Sequence, residues 1–392
     1  MTSTEGSMEK AIKIGSSSNS DIDIAVNELK EQIEQTNAAL IILFFSARYC
    51  FKALTSSLSK HFPDSKIIGC TTAGEIGIKG YSQHSMSAVS FSSEQFAISA
   101  DIYQHLSDLE LKKWHDTTVK LHSQHKNKLD KNLKDHYKSF SLLLVDGMSK
   151  HEEPLTQVLA NAIPGIPLAG GSAGDDLQYD KSFVLYKGQV FSNSAVLILI
   201  STDQAFEILK SQNIKASDKR MVVTHAIPEQ RTITEINGLP AAEEYARHLG
   251  LPNSQCLTTE ILAAHPAVVV IGDSEYVRSI QQVNPDGSLV FYCAIDTGIV
   301  IRIGYSIDLI SSLQNSFREI KDQLEDIQVT LTFDCILRRV ELEEKGLLAP
   351  VSYMLSEQNC IGFSTYGEQI NGLHVNQTCM GVAIGNHSRK TS

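Results

Sequence analysis

Cysteine is sparse in this chain and carries no pairing pattern. Seven cysteines are scattered over 392 residues with no Cys-x-x-Cys spacing. That argues against a disulfide framework or a structural zinc site and suits reduced thiols in the cytoplasm. Long apolar runs are missing too. The densest are Ala38–Phe45 and Ala195–Ile200, well short of the ~20 residues of a spanning helix. Residues Met1 to Ser20 are small and polar, without the apolar centre or cleavage site of a secretory leader. Basic charge is in deficit: 34 Lys and Arg against 45 Asp and Glu leave a net charge of -11. Nucleic acid and anionic membrane are therefore poor partners. No Gly-Lys-(Ser/Thr) phosphate loop, Gly-x-Gly-x-x-Gly turn or His-Glu-x-x-His pair occurs, so these signatures of nucleotide and zinc chemistry are absent.

What is present is a globular composition, 42% hydrophobic and 20% charged, on a length that favours two domains. The most informative feature is internal repetition. Leu40–Ser46 reads as a buried strand, Ala53–Phe62 has helical spacing, Pro63–Asp64 breaks it, and Lys66–Ile68 opens a second strand before Gly69-Cys-Thr-Thr-Ala-Gly-Glu75. The order recurs as Phe140–Val145, Pro154–Ala162, Pro164, Ile166–Ala169 and Gly170-Gly-Ser-Ala-Gly-Asp175. A fainter copy runs Val329–Cys335, Ile336–Lys345, Asn359–Ile361 and Gly362-Phe-Ser-Thr-Tyr-Gly-Glu368. Each copy ends in a glycine-bearing stretch, read here as a loop, with an acidic residue after its last glycine. Strand–helix–strand units imply parallel pairing with right-handed crossovers.

Between the copies the signals are antiparallel: Val268–Ile271, Ser279–Val283, Leu289–Ile295 and Ile299–Ile303, with a strong turn at Asn284-Pro-Asp-Gly287. Ser306–Asp326 has amphipathic helical spacing. The expected fold class is α/β, two domains with mixed sheets built from repeated strand–helix–strand units. Residues 1–30 are expected as a polar N-terminal extension, 31–225 as the first domain, and 226–386 as the second. The change falls near Ser217–Thr234. A Lys- and His-rich stretch over 104–138 is expected to leave the first domain as an exposed helical excursion.

The motifs resemble those of FIST proteins, which pair an N-terminal and a C-terminal FIST domain. The first domain carries Gly69–Ile76 and Gly170–Asp175. The second carries Asn237-Gly-Leu-Pro-Ala241, His265-Pro266, Tyr276-Val-Arg278, Pro285-Asp-Gly-Ser288, Phe333-Asp-Cys-Ile-Leu-Arg338, Gly362–Glu368 and Asn376-Gln-Thr378. The resemblance implies a ligand-sensing module of bacterial signal transduction. A subgroup it is similar to, the nitric-oxide-sensing haem proteins called NosP, acts on histidine kinases and cyclic-di-GMP enzymes. On that reading the chain is a cytosolic sensor that binds haem b and nitric oxide and is not itself an enzyme. A FIST module that binds an amino-acid-like molecule without haem is the first alternative. An enzyme using Cys335, Arg338 and Glu368 is the second. Oligomeric state stays open.

The candidate residues follow. An iron ligand is sought among His374, His265 and His225, with His374 first because it lies beside two motifs; the other motif-free histidines, His105, His115, His122, His125 and His136, are expected to be solvated, and His387 lies in the tail. Val375 separates His374 from the Asn-Gln-Thr run that a His directly precedes in many relatives. Arg278 and Arg338 either clamp a carboxylate or pair with Glu75, Asp175 or Glu368. The glycine turns, through Thr72, Gly74, Glu75, Gly171, Asp175, Tyr366 and Glu368, either line a ligand cleft or serve as tight turns. Cys335 is read as a pocket residue or as a buried structural thiol.

Overall fold

The computed structural model describes residues 10–131, 134 and 136–387. The fold is α/β with mixed sheets in two domains, and the three repeats dominate it. Each repeat supplies the middle of a six-stranded sheet, and the three sheets share one strand order. In the first, Ile12–Ser17, Met86–Ser92, Ala38–Ser46 and Ile67–Thr72 lie side by side, followed by the hairpin Val184–Tyr186 and Gln189–Phe191. In the second the order is Phe96–Gln104, Ser194–Thr202, Lys138–Asp146, Leu168–Ala173 and the hairpin Glu368–Ile370 and Leu373–Val375. The third runs Ala205–Gln212, Thr378–His387, Leu324–Cys335, Cys360–Thr365 and the hairpin Glu75–Gly77 and Gly80–Ser82. In every sheet the two repeat strands pair parallel, across the crossover helix or helices between them.

The closing hairpins are exchanged in a ring. The hairpin after the first repeat completes the third sheet, that after the third completes the second, and that after the second completes the first. Backbone bonds follow the same ring: Ala73 donates to Ser364, Tyr366 to Ser172 and Gly174 to Thr71, at 3.0, 3.1 and 3.1 Å. The three glycine stretches therefore meet at one point. Residues from all three sheets, among them Phe44, Leu142, Leu331, Phe333 and Phe363, form a common buried core. Phe363 packs on Phe44 at 5.0 Å and on Phe333 at 5.7 Å between ring centroids.

Most of each glycine stretch is strand, not loop, which corrects the reading from sequence. The reason is close approach of the neighbouring strand. A Cβ on Gly69, Gly170 or Gly362 would stand 1.9, 2.1 or 1.7 Å from the carbonyl oxygen of Leu43, Leu143 or Thr332. Glycine is there because only it lets the paired strands come together.

The chain leaves this assembly at Gln212–Ile214 and returns at Ser306–Asp308. Between these points residues 214–306 form an eight-stranded antiparallel sheet with the helices Ala241–Leu249 and Thr259–Ala264. It has its own core, including Met221, Tyr245, Phe291 and Ile301. Two other expectations are corrected. Residues 12–33 are not an extension but a strand, Ile12–Ser17, and a helix, Ile22–Ile33, with Val26, Leu29 and Ile33 buried. Residues 1–9 lie outside the described ones. The basic stretch is a helix, Leu111–Lys131, docked through Trp114, Thr118, Leu121, His125 and Leu129. His125 is accordingly buried, bonded to Ser99 and Ser201 at 2.8 and 2.7 Å, and burial first, then Lys128 and His122, lowers its pKa to about 4. Among the described residues no helix is long and apolar enough to cross a membrane.

Candidate ligand pocket at the domain joint

The C-terminal ends of the second and third repeats' central strands open towards the antiparallel sheet, and a cavity of about 130 Å³ lies between them. This is where α/β sheets present ligand sites, since crossover helices begin there with unpaired N–H groups. One wall is Tyr179 and Tyr366, stacked with centroids 4.8 Å apart. The antiparallel sheet contributes Arg231, Phe291 and Tyr292, and the helix Ile336–Glu344 offers its N-terminal end, preceded by Cys335. Asn376 also lines the cavity, is 1% exposed, and its Oδ1 has no hydrogen-bond partner. A buried amide oxygen left unsatisfied is costly and marks a place for a donor.

The wall is held firmly. The Tyr366 hydroxyl donates to the Asp175 carboxylate and accepts the Leu177 N–H at 2.9 Å. Asp175 also collects the N–H groups of Tyr179, Asp180 and Lys181 at 2.9, 2.7 and 3.0 Å. Opposite, Arg231 spans the joint: it donates to Glu152 at 2.6 Å, Glu153 at 2.9 Å and the Tyr292 carbonyl at 2.5 Å. Glu153 in turn accepts the Ala294 N–H at 2.5 Å. Burial pushes the Glu152 carboxyl up to about 7 despite the opposing charge of Arg231.

Of the residues singled out from sequence, the structure brings Cys335, Tyr366 and Asp175 together here. Arg278 lies nearby, donating to the His374 carbonyl. The others lie elsewhere. Arg338 is 1% exposed and bound to Asp334 at 2.7 Å and Asn213 at 2.7 Å, so it pairs with none of the carboxylates expected and anchors the point where the chain leaves the core. Thr72 donates to Glu75, whose second oxygen takes the N–H and hydroxyl of Ser85 at 3.1 and 2.6 Å. Thr365 and Thr378 hold Glu368 in the same way. Gly74 and Gly367 turn these corners with φ of 120° and 146°. These acids are internal braces of the turns. Gly171 is a packing position: a Cβ there would meet Thr365 Cγ2 at 2.6 Å.

The histidines do not make a haem pocket. His374 is 1% exposed, with Nδ1 3.0 Å from Gln369 Nε2, and burial lowers its pKa to about 4. Its Nε2 has no partner, but it abuts the Gly367 backbone, where a Cβ would stand only 2.6 Å away. No face is open for a macrocycle. His225 sits on the outer sheet bonded to Thr234, and His265 contacts the Gly304 carbonyl. Neither lines the cavity. The residues present do not fit the group.

Arg231, Glu152, Tyr179, Tyr292 and Asn376 were not selected from sequence as site residues. Of these, only Asn376 stood in a quoted motif. Gly170–Gly174 also has the Gly-x-Ser-x-Gly spacing of a hydrolase elbow. Ser172 is fully buried within a strand, however, and its hydroxyl accepts from Gln369 at 2.8 Å, so the strained exposed turn that chemistry needs is lacking.

The FIST N domain model matches residues 39–239 and the FIST C domain model residues 241–371. The chain belongs to the FIST family. FIST domains are sensory, ligand-binding modules of signalling proteins and not catalytic ones. An uncharacterized protein of Methanocaldococcus jannaschii is 24% identical over 378 residues, 88% of this chain and 72% of its own length.

Proposed function

We propose that this FIST protein is a non-catalytic sensor of a small zwitterion of the amino-acid type, bound in the cavity at the domain joint. One observation carries the reading: Asn376, whose buried Oδ1 has no hydrogen-bond partner, lines an aromatic-walled hollow. An ammonium group satisfies that oxygen and gains from the faces of Tyr179, Tyr292 and Tyr366. The N-terminus of the helix Ile336–Glu344 receives the carboxylate. At about 130 Å³ the hollow is far below the ~300 Å³ at which sites for drug-sized ligands begin, which favours a ligand of few heavy atoms.

Since Arg231 and Tyr292 come from one body and Tyr366 and Cys335 from the other, occupancy favours one setting of the joint. That difference in surface is what a signalling partner reads. The partners proposed are a histidine kinase or a cyclic-di-GMP enzyme, as for the subgroup that the motifs resemble.

The test is calorimetry of the full chain against a panel of free amino acids, with matched amines and carboxylic acids. Zwitterions are expected to bind while neither half-molecule does, and Asn376→Leu and Tyr366→Ala are expected to abolish binding. Binding that survives Asn376→Leu, or a panel with no binder, overturns the proposal.

A further inference from the structure

A second hollow, of about 870 Å³, lies beside the N-terminal ends of the first repeat's strands Ala38–Ser46 and Ile67–Thr72. Its flanks are the helices Phe51–His61, with Ser59, and Leu111–Lys131, with Leu121. Its apolar lining is the half-buried Ala39, Ile67 and Ala100, backed by the core side chains Leu40, Ile68, Ile98 and Leu185. The volume falls in the ~300–1,000 Å³ range of small-molecule sites.

The charge around this apolar floor runs against that of the whole chain. The net charge is -11, yet Lys66, Lys128 and Lys187 line the hollow with no Asp or Glu among the lining residues. Among the described residues none of these lysines forms an ion pair. Lys128 instead donates to the Ile98 carbonyl at 3.0 Å, and Lys187 lies over the Tyr186 ring at 5.1 Å. Burial, together with Lys66 and Lys134, pulls the Lys128 pKa below its ordinary value. Lys66 and Lys128, which repel one another beside an apolar trough whose lining holds no carboxylate, describe a site for a bound anion.

We propose that this groove binds a free amphipathic anion of the fatty-acid class, its alkyl chain along Ala39, Ile67 and Ala100, with Ile98 beneath, and its carboxylate at Lys66, Lys128 and Lys187. This ligand is distinct from the zwitterion at the domain joint, and the two sites share no lining residue.

The experiment is displacement of a dansyl-labelled undecanoic acid from the full chain, below micellar concentrations. Competitors are straight-chain carboxylates of increasing length, and alcohols and amines of matched length. Each added methylene is expected to tighten the carboxylates about fourfold until the trough is full. The matched alcohol is expected to bind about tenfold more weakly, and the amine more weakly still. Replacing all three lysines by glutamine brings the carboxylate to the level of the alcohol. Ser59→Glu, at an exposed helix position, weakens the carboxylate while leaving the alcohol unchanged. Tyr366→Ala changes none of these values, which separates this proposal from the one above. Equal affinity for carboxylate, alcohol and amine overturns it, as does failure of any carboxylate to displace the probe. Sedimentation with phosphatidylglycerol vesicles without binding of monomeric carboxylates assigns the groove to a bilayer and overturns it too.

Discussion

Tyr366 reaches across from the third repeat to cap the loop of the second: its hydroxyl donates to Asp175, and its ring stacks on Tyr179 with planes 17° apart. The hydroxyl and the ring have separable jobs. Tyr366→Phe keeps the stack but removes a donor to a carboxylate and an acceptor for the Leu177 N–H, at a cost of about 1.5–3 kcal/mol. The amides of Tyr179, Asp180 and Lys181, which bond to that carboxylate, are expected to exchange with deuterium faster in Tyr366→Phe. Unchanged exchange at these three amides means that the hydroxyl does not order the loop.

Arg231 binds two carboxylates, Glu152 and Glu153, across the joint. Arg231→Met strands Glu152 and Glu153, and the buried pair is expected to lose about 3–5 kcal/mol in urea unfolding at pH 8. Part of that loss returns on acidification. Burial already holds the Glu152 carboxyl near 7 with the cation in place, so without Arg231 it protonates more readily still. Adding Glu152→Gln to Arg231→Met is therefore expected to recover stability at pH 8 and little at pH 5. A loss equal at both pH values contradicts an electrostatic role.

Much of the core was legible in the sequence because its signals are local. Short apolar runs, helical spacing and a proline breaker recur in order, and each survives as strand, helix and turn. The glycines were misread as loops because close approach between strands leaves no local trace: Gly362 is glycine on account of Thr332, thirty positions back. The pocket was legible only in part. Cys335, Asp175 and Tyr366 sit in motifs, whereas Arg231 belongs to a different sheet and meets Glu152 only through tertiary packing. Arg338 was read as a carboxylate clamp or as a partner of Glu75, Asp175 or Glu368. The partner is Asp334, four residues away on the same segment, and a carboxylate that near in sequence was passed over for those in the glycine motifs.

Gly367 and His374 test the absence of haem space directly. An alanine at 367 would place its Cβ 2.2 Å from His374 Cε1 at a φ of 146°. Overpacking and backbone strain together are expected to cost about 2–5 kcal/mol. Wild-type protein purified from haem-supplemented cells is expected to show no Soret band, and His374→Ala no change in the visible spectrum. A Soret band that His374→Ala removes means that the imidazole can swing clear of Gly367.

Glu368 makes stability depend on pH in a direction opposite to the usual carboxylate. Burial is the first cause that raises its pKa, from 4.5 to about 8, outweighing the hydrogen bonds from Thr365 and Thr378. The folded state then holds a proton that the unfolded state releases near 4.5. Between those values folded protein binds more protons than unfolded, so the contribution of this group to stability falls as pH rises from 4.5 towards 8 and is constant above. Glu75, raised to about 7 mainly by burial, acts in the same sense. Glutamine at 368 keeps an acceptor for Thr378 and never ionises. Glu368→Gln is therefore expected to show a flatter urea midpoint than wild type between pH 5 and 8, with its advantage greatest at pH 8. Parallel curves for the two proteins mean that Glu368 is ionised in the fold, with its charge carried by the Thr365 and Thr378 hydroxyls and the Thr378 N–H.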